Sequence, residues 1–376
     1  MSRSIAVVCP WILVATACGL PESAPLATNG TGDRAVPQSE ATVDIPEPDR
    51  FEPARRAVEQ ATPFLQTEGD AWMAGTTRAQ SGDGCVSCHQ VPFGLWALRE
   101  ADRVGLVSAE QRRAIEELAE RAIEFATPES TGRVMSWGPL ILADLGGRGD
   151  RAPTAEWLAI GDSIVGRQRD EGYWRARGQF PAQRRELDET NAVATLWTLL
   201  ALAQLEPLDD LQAASRGRAL GWIEGQPEGT SNEWLMTRLL VEGGPEGRTA
   251  ALARLRERQS ADGGWGWAPG EPSNAYSTGQ ALYTLARAGV DTVDPAVVAG
   301  VNYLVGSQGD DGFWQVPSRL ISDEPADPND YVYDYWGTAW AVIGLARALD
   351  PGSPRGSQLA QGHLDQRALL HLVGGR

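Results

Sequence analysis

The sequence predicts an all-α fold, an α6/α6 toroid of about six helical hairpins. Three observations predict it. Gln is followed six positions later by Trp four times, at Gln66/Trp72, Gln168/Trp174, Gln259/Trp265 and Gln308/Trp314. Polar helical patterns alternate with small-and-apolar ones along the chain. Residues 276–287 and 336–347 superpose at a 60-residue offset without a gap.

Each Gln to Trp stretch reads as a loop at a helix C-terminus. Asp170-Glu171-Gly172, Asp262-Gly263-Gly264 and Asp311-Gly312 supply residues that tolerate the positive φ of a tight turn. The separations of 102, 91 and 49 residues are close to multiples of about fifty. Two degenerate copies are therefore expected near Thr127 to Trp137 and near Gln226 to Trp234, which makes six units. In each, a more polar helix precedes an apolar one. Residues 108–126 open with a Ser108/Gln111 capping box and put Ile115, Leu118, Ala122 and Phe125 on one side. Residues 89–100, 193–204, 276–287 and 336–347 are the apolar partners, so the pattern reads as an outer and an inner ring.

The flanks read differently. Residues 1–17 carry Arg3, a short apolar run and the small residues Ala15-Thr16-Ala17 before Cys18, as a secretory signal peptide does. Thirteen apolar residues are too few for about 30 Å of hydrocarbon. The small residues before Cys18 resemble a bacterial lipobox, with Ala15 where Leu is usual; an ordinary cleaved signal is the alternative. Residues 18–50, rich in Pro, Ser, Thr and Gly, read as a flexible linker, residues 51–350 as the toroid and residues 351–376 as a C-terminal tail or docking helix. The expected location is outside the cytoplasm, in the periplasm or outer envelope, with membrane contact only through a lipid on Cys18.

Composition removes several chemistries. All 33 basic residues are Arg, and no Lys occurs. That excludes Schiff-base, P-loop and kinase-type lysine mechanisms. A net charge of −17 argues against a nucleic-acid partner.

One motif is sharp. Cys85-Val86-Ser87-Cys88-His89 has the spacing of a c-type haem attachment site. Two thiols three positions apart reach the two vinyl groups of one haem edge, and the adjacent imidazole faces the iron. One covalent haem c is the expected cofactor, with Cys85 and Cys88 as its attachment points and His89 as axial ligand. Met135 is a candidate sixth ligand, and Met73 a second. A Cys85–Cys88 disulfide and a zinc knuckle are the rival readings. The acids Asp323, Glu324, Asp327, Asp330 and Asp334 share a loop that reads as solvated, with Ca²⁺ binding as the alternative. His363 and His371 read as surface residues of the tail.

The Gln-x5-Trp elements, with Asp-Gly-Gly-Trp at 262–265, resemble the repeats of the prenyltransferase and squalene oxidase repeat superfamily, which includes squalene-hopene cyclases and protein prenyltransferase β-subunits. The resemblance covers about residues 51–350. It implies that Gln and Trp are staples between helix ends, and that function lies at the mouth and in the cavity. Class II cyclases of this family protonate an alkene with Asp-x-Asp-Asp-Thr. The nearest string is Glu186-Leu187-Asp188-Glu189-Thr190, which puts Asp188 in the acid position but has Glu at two of three acids. A helix N-terminus is the alternative use of these residues. The zinc site of protein prenyltransferases has no counterpart, because no Cys follows Cys88 and no His lies between His89 and His363.

These readings point to an exported haem c protein that transfers electrons or senses a redox partner or small ligand. A terpenoid cyclase-like enzyme is the alternative, acting on an apolar isoprenoid held by Trp197, Tyr276, Tyr283, Trp336 and Trp340. A non-haem module binding a hydrophobic ligand or carbohydrate is the third reading.

Overall fold

The computed structural model describes residues 51–74, 90–125, 155–176, 185–241, 245–317 and 330–350. Among the described residues the regular structure is helical, with eleven α-helices and a 3-10 turn and no strand. The helices are α1 (Glu52–Met73), α2 (Gln90–Arg103), α3 (Ala109–Phe125), α4 (Ala155–Val165), α5 (Leu187–Leu202), α6 (Asp210–Glu224), α7 (Asn232–Val241), α8 (Pro245–Glu257), α9 (Ala275–Arg287), α10 (Pro295–Ser307) and α11 (Asp330–Ala348). None is long and apolar enough to cross a membrane. The expected polar and apolar alternation is observed. From Ala275 to Leu285 every residue of α9 is buried, as is nearly every residue of α2 from Val91 to Glu100, whereas α3, α6 and α8 carry exposed faces. A helix buried all round needs neighbours on every side, so α2, α5, α7, α9 and α11 form the inner layer.

The Gln and Trp loops build identical joints at three places. Gln168 Nε2 donates to the carbonyls of Gly172 and Ser215, Gln259 to those of Gly263 and Ala296, and Gln308 to those of Gly312 and Ala57, all at 2.8–2.9 Å. Each Trp indole N–H reaches back to the end of its own outer helix, from Trp174 to Ile164, Trp265 to Leu255 and Trp314 to Leu304. Each Trp backbone N–H then donates to a Thr hydroxyl of the following inner helix, Thr195, Thr278 or Thr338. The loop is thus tied to three helices at once.

Glycine is required at the turn itself. Gly172, Gly263 and Gly312 have φ of +106°, +88° and +86°, and a Cβ on any of them would lie 2.7 Å or less from the carbonyl oxygen of Arg218, Ala299 or Gln60. Seven residues beyond the carbonyl that accepts from Gln, an aromatic covers each joint. Tyr173 stacks on Trp222 and Phe313 on Phe64, each with centroids 4.7 Å apart. In the third joint Gly264 replaces the first ring, and Tyr303 lies against that glycine.

The first Gln and Trp pair behaves differently. Gln66 and Trp72 both lie inside α1, because Thr67 to Ala71 hold no turn glycine of the Asp-Gly type; Gly69 is helical and faces the Tyr335 hydroxyl. The copy expected near Gln226 to Trp234 is also altered. Gln226 Nε2 bonds only its own turn, at the Trp222 carbonyl, and Trp234 has moved onto α7. The copy near Thr127 to Trp137, and the inner partner of α3, fall outside the described residues. The predicted capping box is present, with Ser108 N–H donating to Gln111 Oε1 at 2.8 Å and Gln111 N–H to Ser108 Oγ at 3.1 Å.

Candidate functional site

The inner helices bring their aromatic side chains into one cluster. Trp96 of α2 meets Trp340 of α11 at 5.1 Å, Tyr283 of α9 at 5.2 Å and Trp197 of α5 at 6.2 Å between ring centroids. Trp340 also meets Trp197 at 5.6 Å and Tyr276 at 6.2 Å. Most pairs are steeply tilted, the edge-to-face arrangement that aromatic quadrupoles favour. The five aromatics expected to line the interior, Trp197, Tyr276, Tyr283, Trp336 and Trp340, therefore do converge. Phe93 and Trp96 join them, and the sequence offered no signal for those two beyond their place in an apolar helix.

The cluster has a polar group at each end. Where the inner helices begin, Glu233 of α7 is only 4% exposed. Its Oε1 accepts from Trp197 Nε1 at 3.0 Å, Gln280 Nε2 at 3.2 Å and Tyr276 Oη at 3.4 Å, and its Oε2 accepts from Arg185 Nη1 at 2.7 Å. The Arg185 side chain is 2% exposed. A buried carboxylate survives only when paired and hydrogen-bonded, and here four donors meet it. Glu233 was not singled out from the sequence; the available signal was a charge one residue into an apolar run, in Asn232-Glu233-Trp234.

At the opposite end, Glu100 of α2 accepts from Arg347 of α11 at 2.5 Å, from Arg103 Nε at 2.8 Å and from Trp96 Nε1 at 3.3 Å. Arg103 continues to Asp350 and to the Ala346 carbonyl. Burial pushes the Glu100 carboxyl up, but the Arg347 and Arg103 guanidiniums outweigh it and hold the group below its ordinary range. This network joins the first inner helix to the last.

Asp188 lies exposed in the first turn of α5. The start of α5 carries no side-chain cap, and the neighbours of Asp188 bond mainly to other segments. Glu189 accepts from Ser231 N–H at 2.8 Å and from Thr230 N–H and Oγ1 at 3.1 Å, Thr190 bonds the Glu186 carbonyl, and Asn191 Oδ1 accepts from Ala176 N–H at 2.9 Å. Burial raises the Glu189 carboxyl, and those donors more than reverse it, so the group sits below its ordinary range. Asp330 and Asp334, expected in the acidic loop, belong instead to α11, where Asp334 accepts from Val316 N–H at 2.7 Å.

Cys85, Cys88, His89, Met135, Cys18, the acids 323–327 and His363 and His371 lie outside the described residues. The backbone of Met73 is the last residue of α1. Among the described residues no group of three or more His, Cys, Asp and Glu side chains is placed to hold a metal. What is described is the helix that follows the motif. Its first residue, Gln90, comes directly after His89, and Val91, Pro92 and Phe93 are buried, with Phe93 5.8 Å from Trp336 and 5.9 Å from Trp340.

No family model matches the sequence. Over 108 residues the chain is 35% identical to a drimenyl diphosphate synthase from Streptomyces showdoensis, a match that covers 28% of this chain and 19% of that protein. The chain is thus similar to a short part of a terpene synthase, which agrees with a terpenoid cyclase-like helical fold.

Proposed function

We propose that this chain is an exported haem c protein on an α/α scaffold, with haem attached through Cys85 and Cys88, His89 on the iron, and electron transfer or redox and ligand sensing as its work. The observation that carries the reading is the Cys-x-x-Cys-His sequence placed directly before α2, the inner helix whose first turn packs into the aromatic cluster. Bound there, haem c would supply a one-electron centre at iron. Met135 would be the sixth ligand and Cys18 the lipid attachment. The test is co-expression with haem c maturation machinery, followed by a pyridine haemochrome spectrum and mass analysis of the peptide containing Cys85. A haem c spectrum and one haem mass on that peptide are expected, both lost in the Cys85→Ser/Cys88→Ser protein. A colourless product of unchanged mass overturns the reading.

A second reading, cyclase-like chemistry on an isoprenoid, is favoured by the similarity to drimenyl diphosphate synthase. Two observations weigh against it. Asp188 faces solvent, and the rings of Trp96, Trp197, Tyr283 and Trp340 are in mutual contact, which leaves a substrate no room between them unless they part. Incubation with linear isoprenoid diphosphates and gas chromatography of the extract decides it. A cyclic product that disappears in Asp188→Asn establishes this reading, and no product removes it.

A further inference from the structure

Neutral groups close the joints after α4, α8 and α10, through the Gln amides and Trp indoles of their loops. The joint after α6 is closed by charges instead. Gln226 bonds only its own turn and Trp234 has left the loop for α7, so neither ties residues 226–231 to the neighbouring helices. Three charged side chains do. Glu189 of α5 accepts from the Thr230 and Ser231 N–H groups and the Thr230 hydroxyl at 2.8–3.1 Å. Arg258, directly after α8, donates from Nη1 to the Thr230 and Ser231 carbonyls at 3.3 Å and to Asn232 Oδ1 at 3.1 Å. Arg254 of α8 pairs with Glu228, their side chains 39% and 53% exposed. Glu189 and Arg258 are only half-buried. A bond to an ion within reach of water is exchanged for one to water at small cost, whereas a buried amide has no such substitute. The joint after α6 therefore opens more easily than the other three.

The segment has a fixed post at one end and a free stretch at the other. Asn232 is held by its own N–H on the Trp267 carbonyl and by Nδ2 on the Gly266 carbonyl, both at 2.8 Å. Gly225 ends α6, and Pro227, Glu228 and Thr230 beyond it are exposed. Between them Gly229 lies against the Trp234 ring, where a Cβ would come within 2.4 Å of it. Trp234 is 9% exposed. The residue before it in α7 is Glu233, the carboxylate that gathers Trp197, Tyr276, Gln280 and Arg185. We propose that residues 226–231 are a lid over the start of α7, latched by Glu189 and Arg258, whose local opening uncovers Trp234 and gives small neutral molecules a side entrance to Glu233 and the head of the aromatic cluster. The lid turns at Gly225 while Asn232 stays in place. It rests on neither functional reading of the chain.

The test uses the full-length chain, with amide hydrogen exchange read by peptide mass spectrometry and fluorine NMR of fluorotryptophan-labelled protein. In the parent, the Thr230, Ser231 and Leu235 amides exchange through an opening that low urea does not accelerate, the mark of local rather than global unfolding. Glu189→Ala speeds that exchange about tenfold or more, since it removes three hydrogen bonds to an ion. The neutral nitroxide TEMPOL then broadens the Trp234 and Trp197 fluorine lines, each assigned by its Phe variant, several-fold more than in the parent. Gln308→Ala, in a joint of the neutral kind, leaves exchange of residues 230–235 unchanged. Should Glu189→Ala not fold, Arg258→Met is read in the same way. Exchange at Thr230 and Ser231 that follows global unfolding in the parent overturns the lid. So does a Trp197 line that responds to TEMPOL no more in the variant than in the parent.

Discussion

The Gln308 side-chain amide donates to the Ala57 carbonyl, 251 residues earlier in the chain, at 2.9 Å. It repeats at the chain's ends what Gln168 and Gln259 do between consecutive outer helices, so the last outer helix is joined to the first by the same chemistry as its internal neighbours. Gln308→Ala removes two hydrogen bonds donated by the side-chain amide and leaves the Gly312 and Ala57 carbonyls short of a donor, a loss of about 1–3 kcal/mol. Gln259→Ala should cost a similar amount in denaturant midpoint. The two should differ in hydrogen exchange: Gln308→Ala should expose amides of α1 selectively, whereas Gln259→Ala should expose those of α10. Equal exchange patterns would contradict a separate role for the terminal joint.

Gly312 provides a second check on that joint. Its φ of +86° and the nearby Gln60 carbonyl oppose any side chain on two grounds. Gly270 has φ +81° but open space around it. Gly270→Ala should therefore carry the backbone strain alone, about 1 kcal/mol, and Gly312→Ala should exceed it by a further 1–3 kcal/mol or so from displacement of α1. Urea melts of both proteins measure the difference, and similar midpoints would show that α1 yields easily.

The joints were legible because their chemistry is local. A Gln, an Asp-Gly turn and a Trp within seven residues identify a helix end wherever the turn glycine is present, and they mislead where it is absent, as at Gln66 and Trp72. The site was less legible. Trp197, Tyr276, Tyr283, Trp336 and Trp340 could be collected from the apolar helices, since every inner helix must face the same interior. Glu233 could not, because its meaning comes from Arg185, Trp197 and Gln280, which arrive from a loop and two other helices at separations that no local pattern encodes. Asp188 shows the reverse case. Its string looks like an acid motif, but the backbone N–H groups of Thr230, Ser231 and Ala176 are what its neighbours Glu189 and Asn191 serve.

The Glu100 network predicts the acid limb of stability. Glu100 has a folded-state pKa below its unfolded value, so its ionisation contributes stability above the unfolded pKa, about 4.3, and that contribution fades as pH falls through the folded value. Between pH 6 and pH 3 the denaturant midpoint should fall more steeply in the parent protein than in Glu100→Gln. At neutral pH Glu100→Gln should itself be weaker by about 3–5 kcal/mol, because Arg347 keeps its charge in a buried site. Parallel pH profiles for the two proteins would contradict this assignment.

Arg185 and Glu233 allow the hardest test of the inner site, because a buried pair can be structurally indispensable in halves and dispensable as a whole. Removing one partner takes the opposite charge from the other: Glu233→Gln puts a neutral amide beside buried Arg185, and Arg185→Met leaves Glu233 with the neutral donors Trp197, Tyr276 and Gln280. Each single change should cost about 3–5 kcal/mol. In the double variant, Arg185→Met with Glu233→Gln, no charge remains to desolvate, and the amide oxygen still accepts from Trp197 and Gln280. The double variant should recover most of the loss and cost only about 1–2 kcal/mol, so the cycle should show a coupling of about 4 kcal/mol or more. Asp188→Asn, an exposed first-turn change, should stay within about 0.5 kcal/mol of the parent. Additive single losses in the cycle would mean that each side chain is held by its other neighbours and not by its partner.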